Sequence, residues 1–445
     1  MSEVSRARRA AFAILKTIEK SNGHSDDLLR SRQVEALSQS DRNLTTALVL
    51  GVLRWQIDLD QRIRPLLKHP NAKLDAEVLI ALRLGAFQLL HMDRIPAHAA
   101  IGESVEIAKT AGHRFASGMV NAVLRKLAAS RAEAKEEAPE EEDWRRAFPA
   151  WMVERWSANY GEEATQAICR HGQSQPNISV RMVGDAEAEL AAQGVILSPG
   201  QLLTAARHVV SGDITETTTF REGRVRLQDE GSQLVAELAP RGGTILDCCA
   251  APGGKTLILA ERNSGARIVA CESSPQRLAQ LRERLAVLGD RVECRLADAT
   301  SLEEDAAYDV ALVDVPCSGT GTLGRNPEIR HRLRSEDLPR QAERQCAILR
   351  AAVRAVRPGG HVVYSTCSLE PEENEQVVSA VLSERENARL IPLQLRIEEL
   401  RSGGILTPSG ASRLLQSITA EGSLRLLPGT FESDGFFIAM IEKIG

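Results

Sequence analysis

The segment 244–261, which reads TILDCCAAPGGKTLILAE, constrains the fold of this chain most. A short apolar run at 245–249 leads into a turn of small residues at 250–254, and a helical pattern begins at Lys255. A buried strand, a tight glycine turn and a helix in this order are typical of the first crossover of an open α/β sheet that binds a nucleotide-like ligand. Glycine lets backbone N–H groups approach the ligand closely in front of the helix N-terminus.

A P-loop is the alternative that has to be excluded first. Gly254, Lys255 and Thr256 match the end of the pattern G-x-x-x-x-G-K-[ST], but the position of its first glycine is held by Cys249. A loop without that glycine does not wrap a triphosphate well, so the sequence disfavours an NTPase.

The region around the turn alternates strand-like and helical patterns, which predicts a mostly parallel sheet with crossover helices. Helical patterns include 276–288 and 341–356. A late apolar run at 435–441 predicts an antiparallel edge. The strand-like runs of the parallel part are 244–249, 267–272, 291–296, 310–314 and 361–366. Right-handed crossovers would place the C-terminal ends of these strands on one edge, where ligands bind.

Three acidic residues stand at the predicted strand ends: Glu272, Asp298 and Asp314. Glu272 follows the glycine turn by close to the ~20 residues expected of a ribose-binding carboxylate. A single acid at such a place is often only a helix N-cap. Three of them beside the glycine turn suit a ligand with a ribose, an adenine edge and a positively charged methionyl end.

The 445 residues predict two or three domains. Residues 1–130 have helical periodicity and carry 19 Lys and Arg against 13 Asp and Glu, whereas residues 131–143 hold seven acids against two bases. A basic module beside an acidic linker is compatible with RNA binding, although a helical bundle without a ligand fits the pattern too. We expect a helical domain at 1–130, an acidic linker at 131–143, a small α+β connecting subdomain at 144–226 and the catalytic domain at 227–445.

Composition favours a cytoplasmic protein without a bound metal. The chain has 43% hydrophobic and 26% charged residues, and we find no apolar run of about 18 residues. Lys16, Glu19 and Lys20 interrupt the first apolar stretch at helical spacing, which disfavours a signal peptide. The eight cysteines form no C-x-x-C pair and no zinc-like cluster, so we expect reduced thiols and no metal site.

Three motifs carry a family resemblance. The glycine turn, the run DVPCSGTG at 314–321, and YSTCSL at 364–369 followed by PEENE at 371–375 resemble the RNA cytosine-5 methyltransferases of the Nol1/Nop2/Sun family. The resemblance implies an α/β Rossmann-like class I methyltransferase that uses S-adenosylmethionine. The residues that it places around this cofactor are Cys249, Ala250, Ala251, Pro252, Gly253, Gly254, Lys255, Glu272, Asp298 and Asp314.

The resemblance also assigns the chemistry. It makes Cys367 the nucleophile, Cys317 the residue that helps release the product, and Asp314 a neighbour of the target base. A thiolate that adds to C6 of cytosine makes C5 nucleophilic, which divides one hard step into easier ones. The remaining cysteines outside the glycine turn are expected to be buried and inert: Cys169, Cys248, Cys271, Cys294 and Cys346.

The segments 41–63 and 117–127 resemble the NusB-type RNA-binding bundle. Arg6, Arg8 and Arg9 are its candidate phosphate contacts, and a solvated helix end explains them equally well. The segment 324–330 resembles the Arg-Arg-His-Pro-Asp-Ile segment of the methyltransferases but departs from it at Gly324 and Asn326. The residues there that we predict to contact RNA are Arg325 and Arg330.

A NusB-like module joined to this catalytic domain resembles the bacterial members of the family that act on small-subunit ribosomal RNA. The resemblance implies methylation of C5 of a cytosine in 16S rRNA, either naked or in a small-subunit assembly intermediate, with no membrane and no obligate protein partner. Two alternatives stay open. A DNA cytosine-5 methyltransferase would use a Pro-Cys nucleophile, and a non-catalytic RNA-binding or ribosome assembly factor would need only residues 1–130.

Overall fold

The computed structural model describes residues 4–21, 23–134 and 144–444. The α-helices are, in chain order, α1 (Arg6–Lys20), α2 (Ser25–Leu29), α3 (Arg32–Glu35), α4 (Gln39–Ile63), α5 (Ala76–His91), α6 (Ala97–Thr110), α7 (Ser117–Ala134), α8 (Ala150–Tyr160), α9 (Glu162–Gln173), α10 (Glu187–Ala192), α11 (Thr218–Arg221), α12 (Glu230–Leu238), α13 (Gly254–Arg262), α14 (Pro275–Leu285), α15 (Ile329–Arg332), α16 (Leu338–Ala355), α17 (Glu375–Ser383), α18 (Gln394–Ser402) and α19 (Pro408–Gln416). The β-strands are β1 (Ser179–Met182), β2 (Ile196–Pro199), β3 (Ala206–Ser211), β4 (Val225–Leu227), β5 (Thr244–Asp247), β6 (Arg267–Glu272), β7 (Val292–Leu296), β8 (Tyr308–Asp314), β9 (Val356–Thr366), β10 (Ala388–Ile391), β11 (Leu424–Leu426) and β12 (Phe436–Lys443).

The chain divides into two compact units. The first comprises Met1–Gln175 and Leu323–Arg332, and the second comprises Pro176–Thr322 and Leu333–Gly445. The predicted connecting subdomain is therefore split, because α8 and α9 belong to the first unit and β1 to β4 belong to the second. Helix α7 continues to Ala134, four residues into the predicted linker. The rest of that linker, 135–143, lies outside the described residues.

The elements described in the first unit are all helices, which confirms the predicted helical domain. Ala11, Ile14, Leu15 and Ile18 recur at helical spacing on α1 and are all buried. Such a stripe drives a helix to pack on its neighbours, and it explains how the apolar pattern of the sequence specifies the bundle. None of the helices described in the chain is long and apolar enough to cross a membrane.

The second unit begins with a small sheet of four antiparallel strands in the order β2-β3-β1-β4. Strand β1 pairs with β3 on one side and with β4 on the other. Val180 on this strand is fully buried and packs in one apolar cluster with Leu190, Val195, Ile214 and Val225. The small sheet thus has its own core.

The larger sheet follows the order β10-β12-β9-β8-β5-β6-β7, with β11 paired to β12. The pairs from β9 to β7 are parallel, whereas β12 is antiparallel to β9, β10 and β11. This confirms the predicted fold, a mostly parallel α/β sheet with an antiparallel portion at one edge. The predicted strand 267–272 coincides with β6, and the other predicted strands differ from the observed ones by a few residues.

Helices cover both faces of the larger sheet, which is why its central strands read as continuous apolar runs. Ile245 and Leu312 pack in one cluster, and their neighbours Leu246 and Val313 pack in the other. Successive side chains of a strand point to opposite faces, so a strand covered on both sides needs apolar residues throughout. Because β5 to β9 run parallel, their C-terminal ends lie at the same edge of the sheet, and the loops that follow them begin there.

Candidate active site

The glycine turn follows β5 as predicted. Gly253 has a φ of 98° and is the N-cap of α13, and its N–H donates to Ala250 O at 2.7 Å. A side chain here would be strained, and its Cβ would lie 3.0 Å from Leu281 Cδ1. Asp247, at the end of β5, accepts a hydrogen bond from Thr256 Oγ1 at 2.7 Å. The bond between Thr256 and Asp247 connects β5 to α13 across the turn. Burial raises the pKa of Asp247 to about 6.

A cavity of about 290 Å³ opens beside this turn at the C-terminal edge of the parallel strands. It brings together both predicted catalytic thiols, all three predicted carboxylates and part of the turn. The predicted site residues that line it are Cys249, Ala251, Glu272, Asp298, Asp314, Cys317 and Cys367. The other predicted turn residues lie around it: Ala250 is buried, Pro252 is exposed, and Gly254 and Lys255 begin α13.

Two of the carboxylates are fixed by the chain itself. Glu272 at the end of β6 is 5% exposed, accepts from Ser274 N at 2.9 Å and lies 3.3 Å from a guanidinium nitrogen of Arg277. Asp298 after β7 accepts from the N–H and the hydroxyl of Thr300, at 3.0 and 2.9 Å, and these bonds lower its pKa. Asp298 is therefore an N-cap that also lines the cavity.

Asp314 forms an ion pair that the sequence did not reveal. Its Oδ2 lies 2.7 Å from Lys255 Nζ, and its Oδ1 accepts from the Ser365 hydroxyl at 2.7 Å. Burial alone would lower the pKa of Lys255, but the Asp314 carboxylate outweighs it, and the pKa is raised. Lys255 also interacts electrostatically with Cys367 and so supplies a cation near the predicted nucleophile.

The two predicted catalytic thiols face each other, with Cys317 Sγ 3.3 Å from Cys367 Sγ. Cys367 follows β9, and Cys317 follows β8 by three residues. The hydrogen bond to Cys367, together with burial, raises the pKa of the Cys317 thiol well above its ordinary value. Cys317 is thus held protonated beside Cys367. At this separation the two sulfurs can both reach the same atom of a substrate, or two atoms bonded to each other.

The other cysteines match the predicted burial only in part. Cys169 and Cys271 are fully buried, and burial raises the pKa of Cys271 to about 12. Cys294 and Cys346 are half-buried. Cys248 is buried but also borders the cavity beside Cys249. Within the described residues, no three or more His, Cys, Asp or Glu side chains are grouped to hold a metal ion.

Arg277, Arg344 and Ile348 are among the cavity residues that were not singled out from the sequence. Arg277 Nη2 donates to Ala251 O at 3.0 Å and thereby joins the Glu272 loop to the glycine turn. Its position in the first turn of α14, five residues after Glu272, is a signal that could have pointed to it. Arg344 and Ile348 lie on α16, four residues apart on one helix face, and become visible only once α16 is placed against the sheet.

The predicted phosphate contacts on α1 divide by burial. Arg6 and Arg9 are exposed, but Arg8 is 7% exposed. Arg8 Nε donates to Gln88 Oε1 at 2.6 Å, and its Nη1 lies 2.9 Å from a carboxylate oxygen of Glu103. Arg8 is therefore corrected from a surface RNA contact to a buried member of the bundle, because its donors are used within the first unit.

Arg330 requires the same correction. It is 1% exposed, and its guanidinium lies 4.0 Å from the centre of the Phe148 ring. Burial lowers its pKa to about 9. The carbonyl oxygens that accept its hydrogen bonds belong to Arg54, Ala147, Gly172 and Leu323. Arg330 holds segments of the first unit together, whereas the half-exposed Arg325 stays a predicted RNA contact.

Replacing Arg330 by alanine is expected to destabilise the protein by about 3–5 kcal/mol, because several buried carbonyl groups lose their donor and a cavity is left. Thermal and urea unfolding would measure the change. Arg6→Ala is the matched control on an exposed arginine and should shift stability by less than about 0.5 kcal/mol. Unchanged stability of the Arg330 variant together with weakened RNA binding would restore Arg330 as an RNA contact.

Three family descriptions match separate stretches of the chain. Residues 235–442 match the family described as 16S rRNA methyltransferase RsmB/F. Residues 5–129 match the NusB family, and residues 148–204 match the ferredoxin-like domain of RsmF/B-like methyltransferases.

Relatives extend this match to full length. The probable ribosomal RNA small subunit methyltransferase B of Bacillus subtilis (strain 168) is 34% identical over 98% of this chain and 99% of its own. The crystal structure of PH0851 shares the fold over 100% of both chains, with a TM-score of 0.78 and 24% identity. That of a methyltransferase homolog protein from Pyrococcus horikoshii covers 67% of this chain and 96% of its own, at a TM-score of 0.54 and 27% identity. The chain belongs to the RsmB/F family of 16S rRNA methyltransferases.

Proposed function

We propose that this chain transfers a methyl group from S-adenosylmethionine to C5 of a cytosine in 16S rRNA. The observation that carries the proposal is the pair of thiols, Cys317 and Cys367, 3.3 Å apart in a cavity that also contains three carboxylates. Methyl transfer to oxygen or nitrogen needs no thiol pair. C5 of cytosine is a carbon that must first be activated, and covalent addition of a nucleophile achieves this.

The donor set of the cavity fits the cofactor. Glu272 would hold the ribose hydroxyls, Asp298 would lie near the adenine, and Asp314 near the methionyl part, with residues 249–255 enclosing the other side. Carboxylates accept hydrogen bonds from hydroxyl and amino groups and attract a positive charge, which suits each of these places. When bound, S-adenosylmethionine supplies an electrophilic methyl group on a sulfonium sulfur.

The chain's own residues would activate the base and release it. The Cys367 thiolate adds to C6 of the cytosine, and C5 becomes enamine-like. After C5 has gained its methyl group, a water molecule takes the C5 proton, the electron pair of the C5–H bond forms the C5=C6 double bond, and the C6–S bond breaks to regenerate the Cys367 thiolate. Cys317 would assist this release, since it is held protonated beside Cys367 and can donate to the departing sulfur.

Lys255 and Asp314 would support the same step. The Lys255 ammonium lies against the Asp314 carboxylate and interacts electrostatically with Cys367. A cation at this edge of the sheet would stabilise negative charge that develops as the sulfur and the base react. Asp314 in turn fixes the ammonium, so that this charge stays in place while the base enters.

The target cytosine must be unstacked before Cys367 can reach C6, so the substrate is a loop or a splayed-out nucleotide of the rRNA. We assign RNA anchoring to the helical unit, with Arg6, Arg9 and Arg325 as contacts. A DNA cytosine-5 methyltransferase and a non-catalytic assembly factor are the alternatives. Methyl transfer to DNA oligonucleotides would favour the first, and absence of cofactor binding would favour the second.

Removing the carboxylate of Glu272 or of Asp298 is expected to weaken cofactor binding by about 1–3 kcal/mol each, the cost of a hydrogen bond to a charged group. Isothermal titration of S-adenosylmethionine or its demethylated product into Glu272→Ala and Asp298→Ala would measure this. Glu283→Ala, on an exposed position of α14, is the control. Two variants that bind as tightly as the wild type would place the cofactor elsewhere.

Bisulfite sequencing of 16S rRNA from a deletion strain tests the function in the cell. One cytosine that resists conversion in the parent should become convertible in the deletion strain, and a plasmid copy of the gene should restore its resistance. Conversion patterns that are identical in all three strains would contradict the proposal.

A further inference from the structure

Glu373, six residues beyond Cys367, is a fully buried carboxylate that the mechanism above does not use. Its Oε1 accepts from Ser318 N at 2.8 Å and from Gln345 Nε2 at 2.9 Å. Its Oε2 accepts from the hydroxyl groups of Ser318 and Ser368. A buried charge is costly unless its oxygens are well supplied with donors, and here four donors converge on one carboxylate.

The partners of Glu373 are the immediate neighbours of the two thiols. Ser318 follows Cys317, and Ser368 follows Cys367. The two serine hydroxyl groups also lie 2.9 Å apart. Strands β8 and β9 bring the two loops to the same edge of the sheet, but the loops leave the strands before the cysteines are reached. The carboxylate therefore joins the loops at the residues that determine where each thiol points.

Gln345 extends this junction to the start of the Cys317 loop. Its Nε2 donates to Pro316 O at 2.9 Å as well as to Glu373. The residues on both sides of Cys317 are thus tied to one buried carboxylate. The same carboxylate also contributes a negative charge that raises the pKa of Cys317, although the Cys367 hydrogen bond and burial contribute more.

We propose that Glu373 is a positioning residue that sets the separation of the Cys317 and Cys367 sulfurs by bonding Ser318 and Ser368 at once. The consequence for methyl transfer rests on the proposed function, but the consequence for thiol geometry does not. Glutamine at 373 keeps the shape and loses the charge, and its NH₂ can donate to the serine hydroxyl groups. Alanine removes the junction altogether.

Two measurements on the full-length protein test this. The first is the rate at which diamide cross-links Cys317 to Cys367 without RNA. The diazene takes up the two electrons and two protons released as the S–S bond forms, so the rate reports how close the sulfurs are. The second is the single-turnover rate of methyl transfer, measured with the Kd for S-adenosylmethionine. A displacement of about 1 Å can cost about a hundredfold in rate.

For Glu373→Ala we expect cross-linking and methyl transfer each to slow by about a hundredfold, with the cofactor Kd changed less than about threefold. Glu373→Gln should retain most of the cross-linking rate. In a Cys367→Ala background, Glu373→Gln should also lower the pKa of Cys317, measured by the pH dependence of its alkylation. Glu384→Gln, which alters the ion pair of Glu384 with Arg350, is the control and should change none of these.

Wild-type rates of both reactions in Glu373→Ala would overturn the proposal. If that variant does not fold, wild-type rates of both reactions in a folded Ser318→Ala, Ser368→Ala protein, which lacks both hydroxyl bonds to Glu373, would overturn it instead. The two failures are distinguishable. If cross-linking slows in Glu373→Ala but the wild type transfers no methyl group, the positioning role of Glu373 stands and the proposed function is refuted.

Discussion

Replacing Cys367 by alanine is expected to abolish methylation of 16S rRNA, with a loss of at least about a thousandfold in turnover, or about 4 kcal/mol of transition-state stabilisation. Without the thiolate, C6 of the cytosine receives no nucleophile and C5 is not activated. The cofactor should bind within a few fold of the wild-type affinity, because Cys367 acts on the base. Transfer of a radiolabelled methyl group to rRNA measures the first quantity, and calorimetry measures the second.

Cys294→Ala is the matched control, since Cys294 is a half-buried thiol on β7 that does not line the cavity. Its turnover should be close to that of the wild type. Substantial residual methyl transfer by the Cys367 variant would remove Cys367 as nucleophile. An equal loss in both variants would mean that thiol replacement acts through stability.

Replacing Cys317 by alanine is expected to trap the enzyme on its substrate. If Cys317 assists release, the methylated base stays bonded to Cys367, and a protein–RNA adduct should accumulate until it includes the greater part of the enzyme. The adduct should survive denaturing electrophoresis, whereas the wild type should show little of it. The 3.3 Å separation of the two sulfurs is the structural reason for this expectation.

The double variant Cys317→Ala, Cys367→Ala separates the two roles. It should form no adduct, because Cys367 makes the bond to C6 in the proposed mechanism. An adduct that persists in the double variant would point to a different nucleophile. Normal turnover by the single Cys317 variant would make that cysteine structural.

Local patterns were sufficient to predict the fold and the carboxylates of the cavity, whereas the two thiols were predicted from the family resemblance. The strand, glycine turn and helix at 244–261 predicted a parallel sheet. The C-terminal ends of parallel strands lie at one edge, whatever the sequences of the loops. Glu272, Asp298 and Asp314 were therefore predicted to meet, and they line one cavity. Lys255 was predicted to lie near the cofactor. Its ion pair with Asp314 could not be predicted, because it depends on how β5 and β8 are placed in the sheet and not on the sequence around either residue.

The burial of individual arginines could not be predicted from the sequence. Arg6, Arg8 and Arg9 look alike as a basic cluster, yet Arg8 lies on the buried face of α1 beside Ala7 and Ala11. Arg330 was predicted to contact RNA because it follows a family motif. Its burial depends on segments of the first unit that are distant in sequence. A cluster of charged residues predicts an exposed surface, but tertiary packing determines which of these side chains are exposed.

The boundary between the two compact units at 175 falls inside the predicted connecting subdomain, and residues 148–204 on both sides of it match one ferredoxin-like domain. Helices α8 and α9 follow an acidic linker and precede strands, so the sequence grouped them with the strands. Trp156 and Phe148 pack edge to face with ring centres 5.8 Å apart, and the guanidinium of Arg330 lies over the Phe148 ring within the first unit. Glu373 illustrates the same limit, because its four donors come from three separate parts of the chain.

The most direct test of the central claim uses the purified full-length protein, unmodified 16S rRNA and S-adenosylmethionine that carries a deuterated methyl group. The rRNA is digested to nucleosides, and mass spectrometry identifies which nucleoside holds the label. We expect label in 5-methylcytidine, one equivalent per rRNA, and none when Cys367 is alanine. Label in any other nucleoside, or transfer that does not depend on Cys367, would contradict it.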